Sequence, residues 1–388
     1  GRVPVVEQPV RLHVLVDRAE LRRVLETATG AAHARDAVDD HAAAFDRPRI
    51  DQRRQRECGR RDMAAGRGNQ RGPGEFGTVT LGQAVHGFGE QFGTKLSFFP
   101  SCQALGLVMP SNSPAVNSLW IPAIALKTPV VIKPGKEEPW TPYRLIQSFV
   151  AAGVPAEAFG FYPTDHEGAG EILKSSGRSL IFGDKNTMAQ YANNPAIQLH
   201  GPGWSKFLIG EDCIENWRDY IDVIAGAISD NGGRSCINAS AVVVPRYAAE
   251  IADALAQKIG PFAPTRADDP NARLSGFANL KMADFIDSQI EDGLKTPGGT
   301  DATAKYRNGP RKAEFEGGVY IRPTIIHCES FAHPLANKEF LCPYASVLEM
   351  PQSEVLGRIG YSLIVTAITQ DPAFISELLE CGDIDRLN

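Results

Sequence analysis

The first 75 residues lack several common residue types. They contain no lysine, tyrosine or tryptophan, and a single phenylalanine (Phe45) and isoleucine (Ile50). They nevertheless hold 15 of the 27 arginines, and with 12 acidic residues their formal charge is 15 − 12 = +3. Residues 76–388 carry 25 − 34 = −9. The first 75 residues therefore differ in composition from the rest of this chain of 388 residues.

Three interpretations of residues 1–75 are open. The segment can be solvated and poorly ordered, because short helix-like patches alternate with arginine-, glutamine- and glycine-rich stretches. It can be a basic arm for nucleic acid, although the interleaved acidic residues argue against this. It can also be non-native polypeptide, since arginine, alanine, glycine and proline are favoured when GC-rich DNA is read in a wrong frame.

Long apolar runs are absent from the whole chain. No stretch approaches the ~20 consecutive apolar residues that span a bilayer, so no membrane partner is expected. Residues 2–20 alternate apolar and charged groups, unlike a signal peptide. The net charge of −6 gives no electrostatic case for nucleic-acid binding. The chain begins at Gly1 instead of Met, which indicates processing, a tag or a fragment.

The seven cysteines form no C-x-x-C pair. A structural zinc site is therefore not expected, and no metal is assigned. An odd, scattered set in a chain of this size fits reduced thiols in a cytoplasm. Most of them are then small core residues, and at most one or two are reactive.

From residue 76 onward, short apolar runs alternate with segments of helical spacing. At ~150 residues per domain the length allows two or three domains, and a hydrophobic content of 43% supplies their cores. The first strands are predicted over residues 104–110, 129–133, 159–162 and 179–182, with helices over residues 118–126, 141–150 and 167–173. This alternation predicts an α/β fold with a parallel sheet covered on both faces.

The run His200-Gly201-Pro202-Gly203 interrupts the alternation and suggests a domain hinge or a close backbone approach. A second α/β unit follows, with strands predicted over residues 207–209 and 241–244 and helices over residues 217–228 and 248–259. The predicted domains are therefore residues 76–202 and 203–388.

The sharpest chemical feature is the run from Asn231 to Asn238, N-G-G-R-S-C-I-N. Glycines let the backbone approach a ligand closely, and a cysteine after such a turn can present its sulfur into a cleft. Nearby N–H dipoles are expected to lower the pKa of Cys236 and favour the thiolate. The alternative is a buried, inert thiol.

Five blocks, in order, resemble the aldehyde dehydrogenase superfamily over roughly residues 100–388. The blocks are Pro110–Pro114 (P-W-N-x-P in the family), Thr128–Pro139 (N-T-V-V-L-K-P-S-E-x-T-P), Asn231–Cys236 (N-x-G-Q-x-C, with Arg234 for the glutamine), Gly317–Thr324 (G-G-x-F-x-x-P-T) and Lys338–Pro343 (E-E-I-F-G-P). The resemblance implies a Rossmann-like cofactor domain, an α/β catalytic domain and an active site in the cleft between them.

The resemblance also implies roles for individual residues. Cys236 is the nucleophile that attacks an aldehyde, and the oxyanion is held by the Asn112 amide and the Cys236 N–H. Hydride passes to NAD or NADP, which leaves a thioester on the cysteine. Lys133 contacts the adenosine ribose, Glu339 the nicotinamide ribose and Gly183 the pyrophosphate. Without the resemblance, Lys133 can be interpreted as a solvated lysine at the end of a strand. Asn112 can likewise be interpreted as a residue that only forms a turn.

His200 stands where the family has its general base, the glutamate of E-L-G-G-K. That glutamate activates the water that hydrolyses the thioester. Three outcomes are open: His200 is the base, the acyl group goes to coenzyme A, or turnover is lost. His200 can also be a spacer or a core residue.

Two further departures concern the cofactor. Lys136 replaces a glutamate that grips the adenosine ribose, so a 2′-phosphate and NADP are favoured, unless Lys136 is simply a solvated turn lysine. Asp184 follows Gly183 in place of a serine. It can cap a helix that starts near Lys185, but its charge would repel a pyrophosphate.

Both ends of the chain depart from the family. Residues 1–95 should hold the first elements of the cofactor domain and show none, which favours a replaced N-terminus. Residues 362–369 resemble the strand before the last helix, but the substrate loop and oligomerisation strand would follow Asn388. A C-terminally truncated catalytic domain with an unpaired sheet edge is therefore expected. This puts the homo-oligomer of the family in doubt.

The preferred function is NAD(P)-dependent oxidation of an aldehyde through a Cys236 thioester. The alternatives are a CoA-acylating dehydrogenase or acyl-CoA reductase, an inactive nucleotide-binding pseudoenzyme or fragment and, remotely, a cysteine hydrolase built from Cys236 and His200. The aldehyde is not specified by the sequence.

Overall fold

The computed structural model describes residues 88–91, 94–97, 99–266 and 268–388. The interpretations of residues 1–75 lie outside these ranges. The chain divides into two compact units, of which the first ends at His200 and the second runs from Gly201 to Asn388. The division falls two residues before the predicted domain boundary. Within these ranges, every helix is too short or too polar to cross a bilayer.

The first unit contains a hairpin and a five-stranded sheet. The hairpin strands are β1 (Phe88–Gln91) and β2 (Thr94–Ser97). The sheet strands are β3 (Leu105–Val108), β4 (Val130–Lys133), β5 (Phe159–Phe161), β6 (Arg178–Phe182) and β7 (Ile197–His200). All five are parallel, in the order β5-β4-β3-β6-β7. Because the chain order reverses between β3 and β6, the loops after these two strands flank the point where open α/β sheets bind ligands.

Helices cover both faces of this sheet. They are α1 (Ile121–Ala125), α2 (Trp140–Ala151), α3 (His166–Ser175) and α4 (Lys185–Tyr191). One face buries Trp120, Ile132 and Phe149, whereas the other buries Leu173 and Ile181. The predicted parallel sheet covered on both faces is thereby confirmed for the described residues.

The second unit is built on a six-stranded sheet. Its elements are β8 (Lys206–Ile209), α5 (Trp217–Ser229), β9 (Ala241–Val244), α6 (Ala248–Ile259), α7 (Leu280–Leu294), β10 (Gly299–Asp301), β11 (Lys312–Phe315), β12 (Gly318–Ile321), β13 (Thr324–Cys328), β14 (Tyr344–Glu349), α8 (Gln352–Arg358), β15 (Val365–Ile368) and α9 (Pro372–Glu380). The sheet order is β10-β13-β14-β9-β8-β15, parallel except for β10, and β11 and β12 form a hairpin.

The core strands of this second sheet are apolar on both faces, as parallel strands between helices require. All four residues of β9 are buried. One face packs Val242 and Phe207 against α5 and α6, and the other packs Val243 and Leu208 against residues of α7 and α9. The predicted strands over residues 207–209 and 241–244 are confirmed.

The prediction of an unpaired edge beside β15 is wrong. After α9 the chain returns to the sheet, where the Val365 N–H donates to the Arg386 carbonyl and the Asn388 N–H to the Val365 carbonyl, both at 2.9 Å. Parallel bridges join Ser362 to Ile384 and Val365 to Leu387. The residues after the last helix thus satisfy backbone groups that the edge strand exposes.

Candidate functional site

Cys236 follows a tight turn at the end of α5. Three consecutive residues adopt left-handed backbone angles: Asn231 with φ 58°, Gly232 with φ 65° and Gly233 with φ 64°. Such angles disfavour side chains with a Cβ, so the two glycines suit this turn. Beyond this turn, Cys236 lies against Gly203 and Ser205, just before β8.

Gly233 packs directly on the backbone of another motif block. A Cβ on Gly233 would lie 2.3 Å from the carbonyl carbon of Cys342 and from the nitrogen of Pro343. No larger residue fits without moving that backbone. The N-x-G-Q-x-C-like block and the E-E-I-F-G-P-like block, more than 100 residues apart in sequence, are therefore in contact.

The Asn238 side chain fixes the turn from its far end. Its Oδ1 accepts the Ser235 N–H at 3.0 Å, and its Nδ2 donates to the carbonyls of Ala227 and Asp230, each at 3.0 Å. This residue did not stand out in the sequence, although an asparagine two residues after the cysteine, before the apolar strand β9, was a usable signal.

The loop before β8 holds Cys236 from the other side. A Cβ on Gly203 would lie 2.1 Å from the Cys236 carbonyl oxygen and 3.3 Å from the Cys236 Cβ. The Ser205 hydroxyl donates to the same carbonyl at 2.8 Å. The run from His200 to Gly203 thus does contain a close backbone approach, at Gly203.

The expected lowering of the Cys236 pKa is wrong. Burial of the sulfur, and secondly the charge of Glu339, raise the pKa of Cys236 to about 11, although a hydrogen bond with Ser235 opposes the rise. The thiol is therefore protonated at neutral pH. Desolvation and the nearby carboxylate outweigh the backbone N–H of Cys236, which acts to lower the pKa of its own thiol.

Glu339 lies next to this loop. Its Oε2 accepts the Trp204 N–H at 2.5 Å. Burial raises the pKa of Glu339 to about 7, while hydrogen bonds from the Trp204 and Gly203 N–H groups and the charge of Lys206 oppose the rise. Trp204 itself has φ 42°, a left-handed angle that is uncommon for a residue of its size.

Lys206 is a site residue that sequence reasoning missed. It begins β8 and is 1% exposed. Its Nζ donates to the Trp204 carbonyl at 2.7 Å and to the Ser362 hydroxyl at 3.0 Å. Burial lowers the pKa of Lys206 to about 8, and the charge of Glu339 opposes this. A lysine opening a buried apolar strand was the signal that could have revealed it.

In the first unit, two predicted blocks meet at the carboxyl ends of β3 and β4. The Ser111 hydroxyl donates to Glu137 Oε2 at 2.8 Å and accepts the Glu137 N–H at 3.1 Å. Half-buried Asn112 is the next residue after Ser111, and half-buried Lys133 ends β4. The structure therefore brings the loops of Asn112 and Lys133 together.

Lys136 lies exposed in the turn after Lys133. The two acidic residues that follow it have hydrogen-bond partners within the protein, since Glu137 binds Ser111 and Glu138 Oε1 accepts the Thr141 N–H at 2.9 Å. Lys136 is thus a cation on the solvent side of this turn.

Gly183 and His200 lie at the carboxyl ends of β6 and β7. The Gly183 N–H donates to the His200 carbonyl at 3.1 Å. The His200 ring stacks on Phe182, with 4.6 Å between ring centroids and 16° between planes. Asp184 caps α4 by accepting the Thr187 N–H at 2.9 Å, which confirms the predicted cap.

The predicted residues fall into two groups. The second unit brings Cys236 and Glu339 together around Gly203, and the first unit carries the other five, Asn112, Lys133, Lys136, Gly183 and His200, on loops or strand ends at one edge of its sheet.

Together these features define a class of protein, an α/β protein of two units built on largely parallel sheets. One unit has polar loops at its topological switch point, and the other has a cysteine after a glycine turn.

The chain belongs to the aldehyde dehydrogenase family, whose model matches residues 101–358. A curated Staphylococcus haemolyticus protein named "Putative aldehyde dehydrogenase" is 26% identical over 278 residues, which cover 67% of this chain and 56% of that protein. The chain thus spans just over half the length of this relative.

Solved structures of the family share the fold. The NAD+ complex of an aldehyde dehydrogenase from Bacillus cereus has a TM-score of 0.63 and 23% identity, covering 73% of this chain and 59% of that one. The aldehyde dehydrogenase KauB from Pseudomonas aeruginosa has a TM-score of 0.64 and 22% identity, with the same coverage. The expected aldehyde dehydrogenase-like fold is therefore confirmed.

Proposed function

We propose that this chain oxidises an aldehyde with NAD(P), through a thioester on Cys236. The observation that carries the proposal is the assembly around Gly203, where Cys236 lies against Gly203 and Glu339 accepts from the N–H groups of Gly203 and Trp204. Family membership supports the choice of an aldehyde as substrate.

The chemistry assigned to this chain's residues begins with Cys236. Its sulfur attacks the carbonyl carbon, and the thioester forms when the hydride has left. When bound, NAD(P) accepts that hydride. Because the thiol is protonated at rest, attack requires a base that takes its proton. The role of the Asn112 amide at the oxyanion stays a prediction.

The predicted cofactor residues of the first unit suit the adenosine ribose of a nucleotide but not its pyrophosphate. Lys133 and exposed Lys136 present cations at the carboxyl end of β4, where ribose hydroxyls or a 2′-phosphate would be held. At Gly183 the adjoining N-terminus of α4 is already capped by the Asp184 carboxylate. The adenosine ribose is therefore the part of the cofactor that this unit binds best, and NADP is favoured over NAD.

A CoA-acylating activity is the second candidate. The position of the family's general-base glutamate is occupied by His200, whose ring is stacked on Phe182. With no carboxylate at that position to activate water, transfer of the acyl group to a thiol acceptor is the favoured alternative to hydrolysis.

The test is an aldehyde panel with NAD or NADP, each with and without coenzyme A, followed as reduced cofactor. We expect turnover that is lost in Cys236→Ala, is at least as fast with NADP as with NAD, and loses that preference in Lys136→Glu. Stimulation by coenzyme A would support the acyl-transfer route. Turnover that survives in Cys236→Ala would contradict the proposal. If the unaltered chain binds the cofactor but shows no turnover under any condition, the proposal is also contradicted, and the chain is a nucleotide-binding pseudoenzyme.

A further inference from the structure

We propose that Glu339 is the base that takes the proton of the Cys236 thiol, and that Lys206 is the positioning residue that keeps the Glu339 carboxylate charged and in place. This inference rests on the proposed function, in that Cys236 is taken as the nucleophile. It assigns to Glu339 a proton transfer in addition to the predicted contact with a ribose.

The geometry comes from the Gly203-Trp204 pair. Gly203 faces Cys236 so closely that a Cβ on it would lie 3.3 Å from the Cys236 Cβ. The N–H groups of the same two residues point at the Glu339 carboxylate, with Trp204 donating at 2.5 Å. Cys236 and the Glu339 carboxylate therefore lie against the same short stretch of backbone, and the charge of Glu339 acts on the Cys236 thiol.

Lys206 completes the arrangement through Trp204. The Trp204 N–H donates to Glu339, and its carbonyl accepts from the Lys206 Nζ at 2.7 Å. A lysine that is 1% exposed is costly unless its charge is compensated, and the Ser362 hydroxyl supplies only a neutral partner. Among the described residues, the charges that act across this cluster are Lys206 on Glu339 and Glu339 on Cys236.

The acidities fit these roles. Burial raises the pKa of Glu339 to about 7, so about half of its carboxyls are charged at neutral pH. A base whose pKa lies near the working pH transfers protons efficiently. Loss of the Lys206 cation removes an influence that lowers the pKa of Glu339, so fewer carboxylates would then be available.

The step balances without a redox change. The S–H bond of Cys236 breaks and its proton moves to the Glu339 carboxylate. The sulfur electron pair forms a C–S bond to the aldehyde carbonyl carbon, and the π pair of the carbonyl becomes an alkoxide. A thiol, an aldehyde and a carboxylate thus give a thiohemiacetal alkoxide and a carboxylic acid.

The test is the pH dependence of Cys236 alkylation by iodoacetamide, read by mass spectrometry of the peptide that contains Cys236. The expected profile has two rises, one with a midpoint near pH 7 from base-assisted reaction and one near pH 11 from the free thiolate. In Glu339→Gln, which keeps a hydrogen-bond acceptor for Trp204, the first rise should vanish and the second should move to lower pH. A single rise in the unaltered chain, or a first rise that persists in Glu339→Gln, would overturn the inference.

The Lys206→Met variant tests the positioning role. We expect the first midpoint to move up by about 1 pH unit, because a neighbouring cation no longer favours the carboxylate. Lys206→Arg should keep it, and Lys305→Met, an exposed lysine paired with Asp253, should leave the profile unchanged. If Lys206→Met does not fold, Lys206→Gln, which loses the charge but keeps a donor for the Trp204 carbonyl, is scored in the same way. An unmoved midpoint in the folded variant would refute the role of Lys206.

Alkylation needs neither cofactor nor aldehyde, which separates this inference from the proposed function. A chain that oxidises no aldehyde but shows two rises would refute the proposed function and leave the acid–base pair standing. A chain that oxidises aldehydes but shows a single rise would refute the acid–base pair and leave the proposed function standing.

Discussion

The Asp184 carboxylate accepts two hydrogen bonds from Thr187, one from its backbone N–H and one from its hydroxyl, both at 2.9 Å. These bonds hold the pKa of Asp184 below its ordinary value, so the side chain is charged at neutral pH. A negative charge thus caps α4 beside Gly183, the residue predicted to meet the cofactor pyrophosphate.

The first prediction concerns this charge. Asp184→Asn keeps an acceptor for the Thr187 N–H but removes the repulsion of a pyrophosphate, so the dissociation constant of NADPH should fall by about two- to fivefold. Fluorescence titration measures it. Asp165→Asn is the matched control, because Asp165 caps α3 in the same manner away from Gly183. Weaker or unchanged binding in Asp184→Asn would show that the pyrophosphate does not bind at this turn.

The second prediction concerns Gly233. Gly233→Ala places a Cβ 2.3 Å from the backbone of Cys342 and Pro343 at a φ of 64°, so the free energy of unfolding should fall by at least about 2 kcal/mol. Gly357→Ala in α8 is the control, since a Cβ there meets no atom within 4 Å and alanine favours the helix by up to about 1 kcal/mol. Urea denaturation of both variants tests the contrast; equal stabilities would mean that the two motif blocks do not pack as described.

Much of the framework was accessible from local sequence patterns. The runs that became β3, β4, β8 and β9 are short, apolar and bounded by turn residues, and in a parallel sheet such runs are buried on both faces. Residues 260–316 carried no predicted element, yet α7 lies there. Its pattern is blurred because Leu280, Met282 and Phe285 are exposed on its surface.

The site was less accessible for a physical reason. The glycine turn at Gly233 identified Cys236, but its acidity depends on Glu339, more than 100 residues later in the chain. For Lys206 the local signal, a lysine that opens an apolar strand, does not by itself indicate burial, since a lysine at the start of a strand is ordinarily solvated. Its ammonium group binds the carbonyl of nearby Trp204 and the hydroxyl of Ser362, which is 156 residues away in the chain. Charge and desolvation set by distant segments are not encoded in local spacing.

The third prediction is a pH dependence of stability caused by Glu339. Burial raises the pKa of Glu339 to about 7 in the folded chain, against an ordinary 4.5. Between these values the unfolded chain loses its proton first, so this residue lowers the free energy of unfolding as pH rises, by on the order of 3 kcal/mol at most.

Glu339→Gln removes that titration, and urea denaturation at pH 5 and pH 7.5 measures the effect. Relative to the unaltered chain, Glu339→Gln should gain stability at pH 7.5 but not at pH 5. Glu354→Gln, at an exposed glutamate paired with Arg358 on α8, should show no such difference. A gain of the same size at both pH values would mean that Glu339 does not titrate in this range.

The fourth prediction concerns the buried ion pairs of Asp301. Its Oδ2 accepts from Arg307 Nη2 at 2.7 Å and from Arg311 Nη2 at 3.2 Å, and all three side chains are less than 9% exposed. Removing one member of such a cluster leaves buried charge without its counter-charge, which costs about 3–5 kcal/mol. Asp301→Asn should therefore destabilise the chain by about that amount.

The matched control for Asp301→Asn is Glu215→Gln. Glu215 pairs with Arg246 at 2.6 Å, shorter than either Asp301 contact, but its side chain is 61% exposed. Solvent screening leaves such a pair with little effect on stability, so burial and not distance should decide the ranking of the two variants. Urea denaturation in 0.1 M and 1 M salt provides the check, because added salt should abolish the small effect of Glu215→Gln and leave that of Asp301→Asn. Similar losses in the two variants would show that the Asp301 cluster is solvated and contributes no more than a surface pair.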